Sequence, residues 1–191
     1  MSEKLSGFRM PGEWEKQKSV WIAWPYNKND WPGLYKFIPE VILEIIYKIS
    51  KHQKVNLIIN SKIECIKKIF KSSKIKNVSF HKIKTDRIWL RDSGPIFLIN
   101  KKYKKKIILN FVFNGWAKYK NYKNDNKIND KLSKIIKLKK INPAIKKNGK
   151  SRKVIMEGGA FDVNGAGTIL LTEECSVSYT HLRAHETCVH L

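Results

Sequence analysis

Short β-rich runs alternate with stretches of helical periodicity along the first half of this chain, and that alternation limits it to a mixed α/β fold. "SVWIAWP" (Ser19 to Pro25) is rich in β-formers and is stopped by a proline. "LYKFIPEVILEIIYKISK" follows, with Val41, Ile45, Ile46 and Ile49 on one predicted helix face and Pro39 in the first turn. "KVNLIIN" reads as a short buried strand, and "NVSFHKI" as another. Between them "SKIECIKKIFKSS" opens on Ser61 with Glu64 three residues later, which predicts a capping box. Further on, "PIFLIN" and "KIILNFVFN" are strands joined by a lysine-rich turn, and a helix is expected over Asn129 to Lys137. "NPAIKKNGKSRK" reads as a polar loop, and "VIMEGGAFDVNGAGTILLT" as two strands around an Asn164-Gly165 turn. No linker and no internal repeat interrupts the series.

The 191 residues suffice for one domain with a sizeable core, and 42% hydrophobic content is globular. No apolar run reaches the roughly 18 residues of a membrane helix. The N-terminus lacks an apolar leader, and three cysteines without paired spacing argue against a disulfide framework, so a cytoplasmic setting is expected. The net charge of +23 admits a polyanion partner. Here lysine travels with isoleucine and asparagine along the whole chain, the signature of AT-rich codons. A nucleic-acid partner is therefore not the first expectation, although a basic module using the aromatics around Trp116 is the alternative reading.

The final run, "SVSYTHLRAHETCVHL" from Ser176, loses that bias and holds three of the five histidines, His181, His185 and His190. His181 and His185 stand i,i+4, a spacing that puts two imidazoles on one helix face for a metal. The run also resembles the translation of a common sequencing-adaptor sequence. Residues 176–191 are accordingly set apart as a non-native tail, and residues 1–175 as the domain.

Two stretches carry chemistry. In "DRIWLRDSGP", Asp92 follows Trp89 by three residues and precedes a Gly94-Pro95 turn. A carboxylate beside an indole suits a flat cation, since it accepts two parallel N–H bonds while the ring covers a face. An Arg91–Asp92 surface pair beside a core Trp fits the spacing as well, and is the simpler reading. In "MEGGAFDVNGAGT", Glu157 ends a β-rich segment before Gly158-Gly159, which permits either close approach to a ligand or a plain bulge. "FVFNGWAKYKNYKND" interleaves aromatics and polar groups, as a surface loop, a stacking platform or a substrate wall would. Cys175 is a thiol without an identifiable histidine partner, and Cys188 falls in the tail. His52 and His81 read as solvated or strand-face residues.

Taken in order, "MPGEWEKQKSVWIAWPYNKNDWPG" (Met10 to Gly33), "TDRIWLRDSGPIF" (Thr85 to Phe97), "FVFNGWAKYKNYKND" (Phe111 to Asp125) and "MEGGAFDVNGAGTILLTEEC" (Met156 to Cys175) resemble the agmatine deiminase / bacterial-type peptidylarginine deiminase family. The resemblance implies a pentein-type α/β propeller, present here as its N-terminal blades only. It implies hydrolysis of a guanidinium to a ureido group with release of ammonia, agmatine being the expected substrate and putrescine synthesis the setting. In that family a cysteine thiolate attacks the guanidinium carbon, a histidine serves as acid and base, and two carboxylates grip the nitrogens. No metal or organic cofactor is implied, and a homo-oligomer is possible. By motif, Asp92 and Glu157 match the two carboxylates, with Trp89, Trp116 and Asn114 as substrate-binding residues. The family's Gly-His-x-Asp segment and late cysteine are not matched, so the 191-residue chain is expected to be inactive. "TDRIWLRD" also departs from the Asp-Asp-Ala-Trp form associated with agmatine specialists, which leaves the guanidine substrate open.

Overall fold

A computed structural model describes residues 5–102, 104–147 and 150–171. The chain divides into two compact units, one built from Lys16–Leu90 and Tyr122–Ile128, the other from the remaining residues.

In the first unit, β1 (Ser19–Ala23), α1 (Ile38–Ser50), β2 (Lys54–Ile59), α2 (Ile63–Ser72) and β3 (Val78–Lys82) alternate, and the three strands pair in parallel in the order β1-β2-β3. The central strand explains the arrangement. Val55 through Ile59 are all buried, so both faces of β2 are covered and neighbours must lie on either side. Val55, Leu57 and Ile59 meet Ile46 of α1, Ile66 and Phe70 of α2, and Trp24 in one apolar cluster. Asn56, on the opposite face, is held by His81 through its Oδ1 at 3.2 Å.

Two sequence expectations in this unit are corrected. Pro39 does sit in the first turn of α1, and Ile46 and Ile49 pack inward, but Val41 and Ile45 face solvent. At 100° per residue Val41 lies about 140° from Ile46, so the four residues do not share a face; Ile42 and Leu43 complete the inward one. The capping box at Ser61 does not form. Lys62 takes the N-cap position in a left-handed conformation (φ 55°), α2 starts one residue later, and Glu64 pairs with Lys67 at 2.9 Å instead.

The second unit takes in the residues before Lys16 and resumes at Arg91, within the single turn α3 (Leu90–Ser93). β4 (Ile96–Asn100) and β5 (Lys105–Leu109) follow as an antiparallel pair. After α4 (Ile128–Ile136), β6 (Lys139–Ile141) joins β5 in parallel. Ile96, Leu98, Ile107, Ile108, Leu132 and Phe161 are its buried apolar residues, with Phe113. The stretch read as a polar loop is instead a hairpin, β7 (Ala144–Lys147) with β8 (Lys150–Lys153). Its strands are lysine-rich and β8 is exposed throughout, so they lack the alternating hydrophobicity that marks a strand. Asn148-Gly149 between them was the one available hairpin signal. β9 (Phe161–Val163) and β10 (Ile169–Leu171) form the last hairpin. Asn164 turns it as expected, its Oδ1 accepting N–H bonds from Ala166 (2.8 Å) and Thr168 (3.1 Å).

The inward face of α1 sets a prediction. Ile46→Ala, at a site with 0% exposure, is expected to cost about 2–5 kcal/mol. Val41→Ala, at 49% exposure, is expected to stay within about 0.5 kcal/mol. Chemical denaturation of the two variants checks this; equal losses would refute the burial pattern.

Candidate functional site

The second unit brings Asp92 and Glu157 into electrostatic contact. Asp92 sits in the turn α3, ahead of Gly94-Pro95 and the start of β4. Arg91, its neighbour, is directed to exposed partners, pairing with Glu13 and with Asp162 at 3.1 Å. Asp92 is half-buried and accepts the backbone N–H of Gly159. Burial raises its pKa above the ordinary 3.8, against the Gly159 bond and the Arg91 charge, which lower it. Glu157 is 3% exposed, and its Oε1 has no hydrogen-bond partner. Its pKa is likewise raised above 4.5, first by burial and then by the charge of Asp92.

The glycines make this approach possible. A Cβ on Gly158 would run into the Arg91 carbonyl, and one on Gly159 into Asp92 Oδ1. Gly158–Ala160 form a short 3₁₀ turn. Neither reading of the Gly-Gly pair is needed to explain it: the backbone packs against the protein's own Asp92 turn.

Trp116 and Asn114 belong to the same unit. Gly115, Trp116 and Ala117 all have positive φ (67°, 56° and 53°), a conformation that costs a non-glycine residue about 1–2 kcal/mol. Asn114 Oδ1 accepts from Ala117 N at 3.0 Å, and the Gly115 carbonyl accepts from Lys118 N and Tyr119 N, both at 3.0 Å, which hold the turn. The Trp116 ring stands edge-on to Phe113 (4.9 Å between centroids) and to Tyr119 (5.9 Å). Asn114 therefore has a turn-holding task in this structure.

Trp89 belongs to the first unit and is 41% exposed, packed against Trp31 at 6.0 Å between centroids. The simpler sequence reading, a core Trp beside an Arg91–Asp92 pair, is overturned. Exposed acids draw Arg91 away, and the ring is half open. In the same unit Arg87 and Asp30 form a buried ion pair, with side chains 9% and 1% exposed. Sequence reasoning missed Asp125, which lies in a run read as loop or platform. It is 1% exposed and accepts N–H bonds from Asp86 (2.7 Å) and Arg87 (3.3 Å) through Oδ1. Burial pushes its pKa up to about 7. Nothing in the local sequence marks a buried acid there, because the donors come from residues 38 and 39 positions earlier.

His81 is a β3 residue bonded to Asn56, His52 is exposed in a turn, and Cys65 is exposed on α2. Cys175, Cys188, His181, His185 and His190 lie outside the described residues. Among the described residues, no cluster of His, Cys, Asp and Glu is arranged to hold a metal, and no helix is long and apolar enough to cross a membrane.

Residues 9–185 match the family of Porphyromonas-type peptidyl-arginine deiminases. The chain belongs to this family. A Streptococcus mutans protein provisionally named an agmatine deiminase is 30% identical over 179 residues, which are 90% of this chain and 46% of that protein. A solved C. jejuni agmatine deiminase, a cysteine-to-serine variant with substrate bound, is 31% identical, with a TM-score of 0.71, over 89% of this chain and 47% of that one. The Enterococcus faecalis agmatine deiminase is 25% identical, with a TM-score of 0.78, over 95% and 48%. The chain thus spans about half the length of the curated relatives it matches.

Two outcomes follow from this geometry. Gly158→Ala, whose Cβ would meet the Arg91 carbonyl, is expected to displace the Asp92 turn and lower stability by about 1–3 kcal/mol, read by denaturant titration; an unchanged midpoint would contradict the close approach. Asp125 holds its proton more tightly folded than unfolded. Its contribution is full below the ordinary 3.8 and is lost as pH rises toward about 7. Across that window the unfolding free energy of the wild type should fall relative to Asp125→Asn by up to about 1.4 kcal/mol per pH unit. Parallel pH profiles would refute the assignment.

Proposed function

We propose that this chain carries the guanidinium-gripping part of a deiminase that hydrolyses a guanidinium to a ureido group with release of ammonia. The observation that carries the reading is the pair Asp92 and Glu157. Both are desolvated, each has a raised pKa, and Glu157 has an unpartnered oxygen. Two like charges drawn out of water are short of a cation. A guanidinium answers that need, because it is planar, stays charged, and offers parallel N–H donors to carboxylates. Gripping the nitrogens orients the central carbon for attack, which is catalysis by approximation. Trp116, wedged edge-on between two rings in the same unit, is proposed as a wall for the flat cation. Trp89 is a further candidate ring, and Asn114 a further polar contact.

The proposed substrate is agmatine, as in the relatives named for it, with a peptidyl arginine as the alternative within the family. The two three-stranded sheets are proposed as N-terminal blades of a pentein-type fold within residues 1–175. The nucleophile and the general acid/base are proposed to lie in the sequence by which the relatives exceed this chain.

The test has two arms. Calorimetric titration of agmatine into the chain should show binding that weakens as pH falls through a range above the ordinary 3.8 and 4.5, because a cation needs both carboxylates ionised. Asp92→Asn and Glu157→Gln should each weaken it by about tenfold or more. In a protein of full family length the same changes should lower turnover by about 10²-fold or more, assayed as ureido product from agmatine and from a peptidyl arginine. Near-full rates in these variants would sink the site assignment. Product formed by the 191-residue chain above an Asp92→Asn control would refute its expected inactivity.

A further inference from the structure

In the first unit, the dipeptides Asp86-Arg87 and Asn124-Asp125 hold each other in both directions. Asp86 N and Arg87 N donate to Asp125 Oδ1 at 2.7 and 3.3 Å. Asn124 N and Nδ2 donate back to the Asp86 carboxylate, at 2.6 Å to Oδ2 and 2.7 Å to Oδ1. Four hydrogen bonds thus join segments nearly forty residues apart, three of them at 2.7 Å or less and every one to a carboxylate.

The clasp leads to a pair of rings. Arg87, whose backbone Asp125 holds, extends its side chain to the buried carboxylate of Asp30. Asp30 immediately precedes Trp31, Arg87 precedes Trp89 by two residues, and the two indoles pack together at 6.0 Å. Both ends of the ring pair are therefore tied to one guanidinium, and that guanidinium's backbone is tied to Asp125. The site is deeply buried, with Asp125 Oδ2 and Asp30 Oδ2 both without partners. Fold stability alone gives no reason to bury two incompletely satisfied carboxylates, since well-packed apolar residues would serve it as well. Fixing a half-exposed ring pair against rotation does give one.

We propose that Asp125 is a positioning residue, acting through Arg87 and Asp30 to fix the orientation of the Trp31–Trp89 pair. The proposal rests on the reading of Trp89 as a ring that covers a flat cation. It extends that reading by naming what aims the ring. Asp125 touches no substrate in this account.

The test is two-dimensional 1H–15N NMR of the labelled full chain, following the indole N–H signals. Trp21 and Trp24 report the integrity of the first unit, Trp31 and Trp89 the ring pair. Asp125→Ala should move the Trp31 and Trp89 signals and leave those of Trp21 and Trp24 in place. Asp125→Asn, which keeps the Oδ1 acceptor, should restore the wild-type positions. Asn124→Ala removes only one donor of the clasp, and should move the same two signals less; it decides the matter if Asp125→Ala does not fold. Ring-pair signals unmoved in a folded Asp125→Ala or Asn124→Ala variant would overturn the proposal, as would all four signals moving together. The two readings fail separately. A wild type that binds no agmatine removes the substrate reading, while the indole signals still decide whether Asp125 aims the rings.

Discussion

Burying a carboxylate is costly unless donors or a cation meet it, and the segments that carry chemistry here are arranged around four such groups. In one unit Asp30 is met by the Arg87 guanidinium, and Asp125 by two backbone N–H groups. In the other Asp92 receives the Gly159 N–H, and Glu157 is left with an unpartnered oxygen beside a second acid. All four have pKa values raised by burial. Asp30, Asp125 and Glu157 each bury one oxygen without a partner. The first pair ties segments distant in sequence together, whereas the second brings two acids into electrostatic contact.

The same constraint explains the residues between the acids. Gly158 and Gly159 are required because the Glu157 segment packs against the backbone and side chain of the Asp92 turn, where a Cβ would collide. Arg91 pairs with two exposed acids, Glu13 and Asp162, and its charge lowers the Asp92 pKa less than burial raises it. Trp116 is locked by three successive positive φ values and two edge-on ring contacts.

Much of the fold was legible because periodicity reports burial directly. The alternation of β1, α1, β2, α2 and β3, the β4–β5 pair, α4 and the Asn164 turn all follow from runs whose apolar spacing matches their structure. The misses have separate causes. The β7–β8 hairpin is lysine-rich, with β8 exposed throughout, so it carries no burial signal. The expected cap at Ser61 fails because Lys62 adopts a left-handed conformation that a residue pattern does not disclose. Spacing alone places Val41 inward, whereas the angle to Ile46 puts it outside. For the site, Asp92 and Glu157 are legible as members of ordered motifs; Asp30 and Asp125 are not, because their partners come from distant segments.

The sequence by itself determined the α/β class and the family, and singled out Asp92 and Glu157 as candidates, because these depend on residue types in order along the chain. Tertiary structure alone decided which acids answer each other. It paired Asp125 with the amides of Asp86 and Arg87, Arg87 with Asp30, and the charge of Asp92 with Glu157. Desolvation and Coulomb terms act through space. A carboxylate's protonation and its need for a cation are therefore unset until folding has chosen its neighbours.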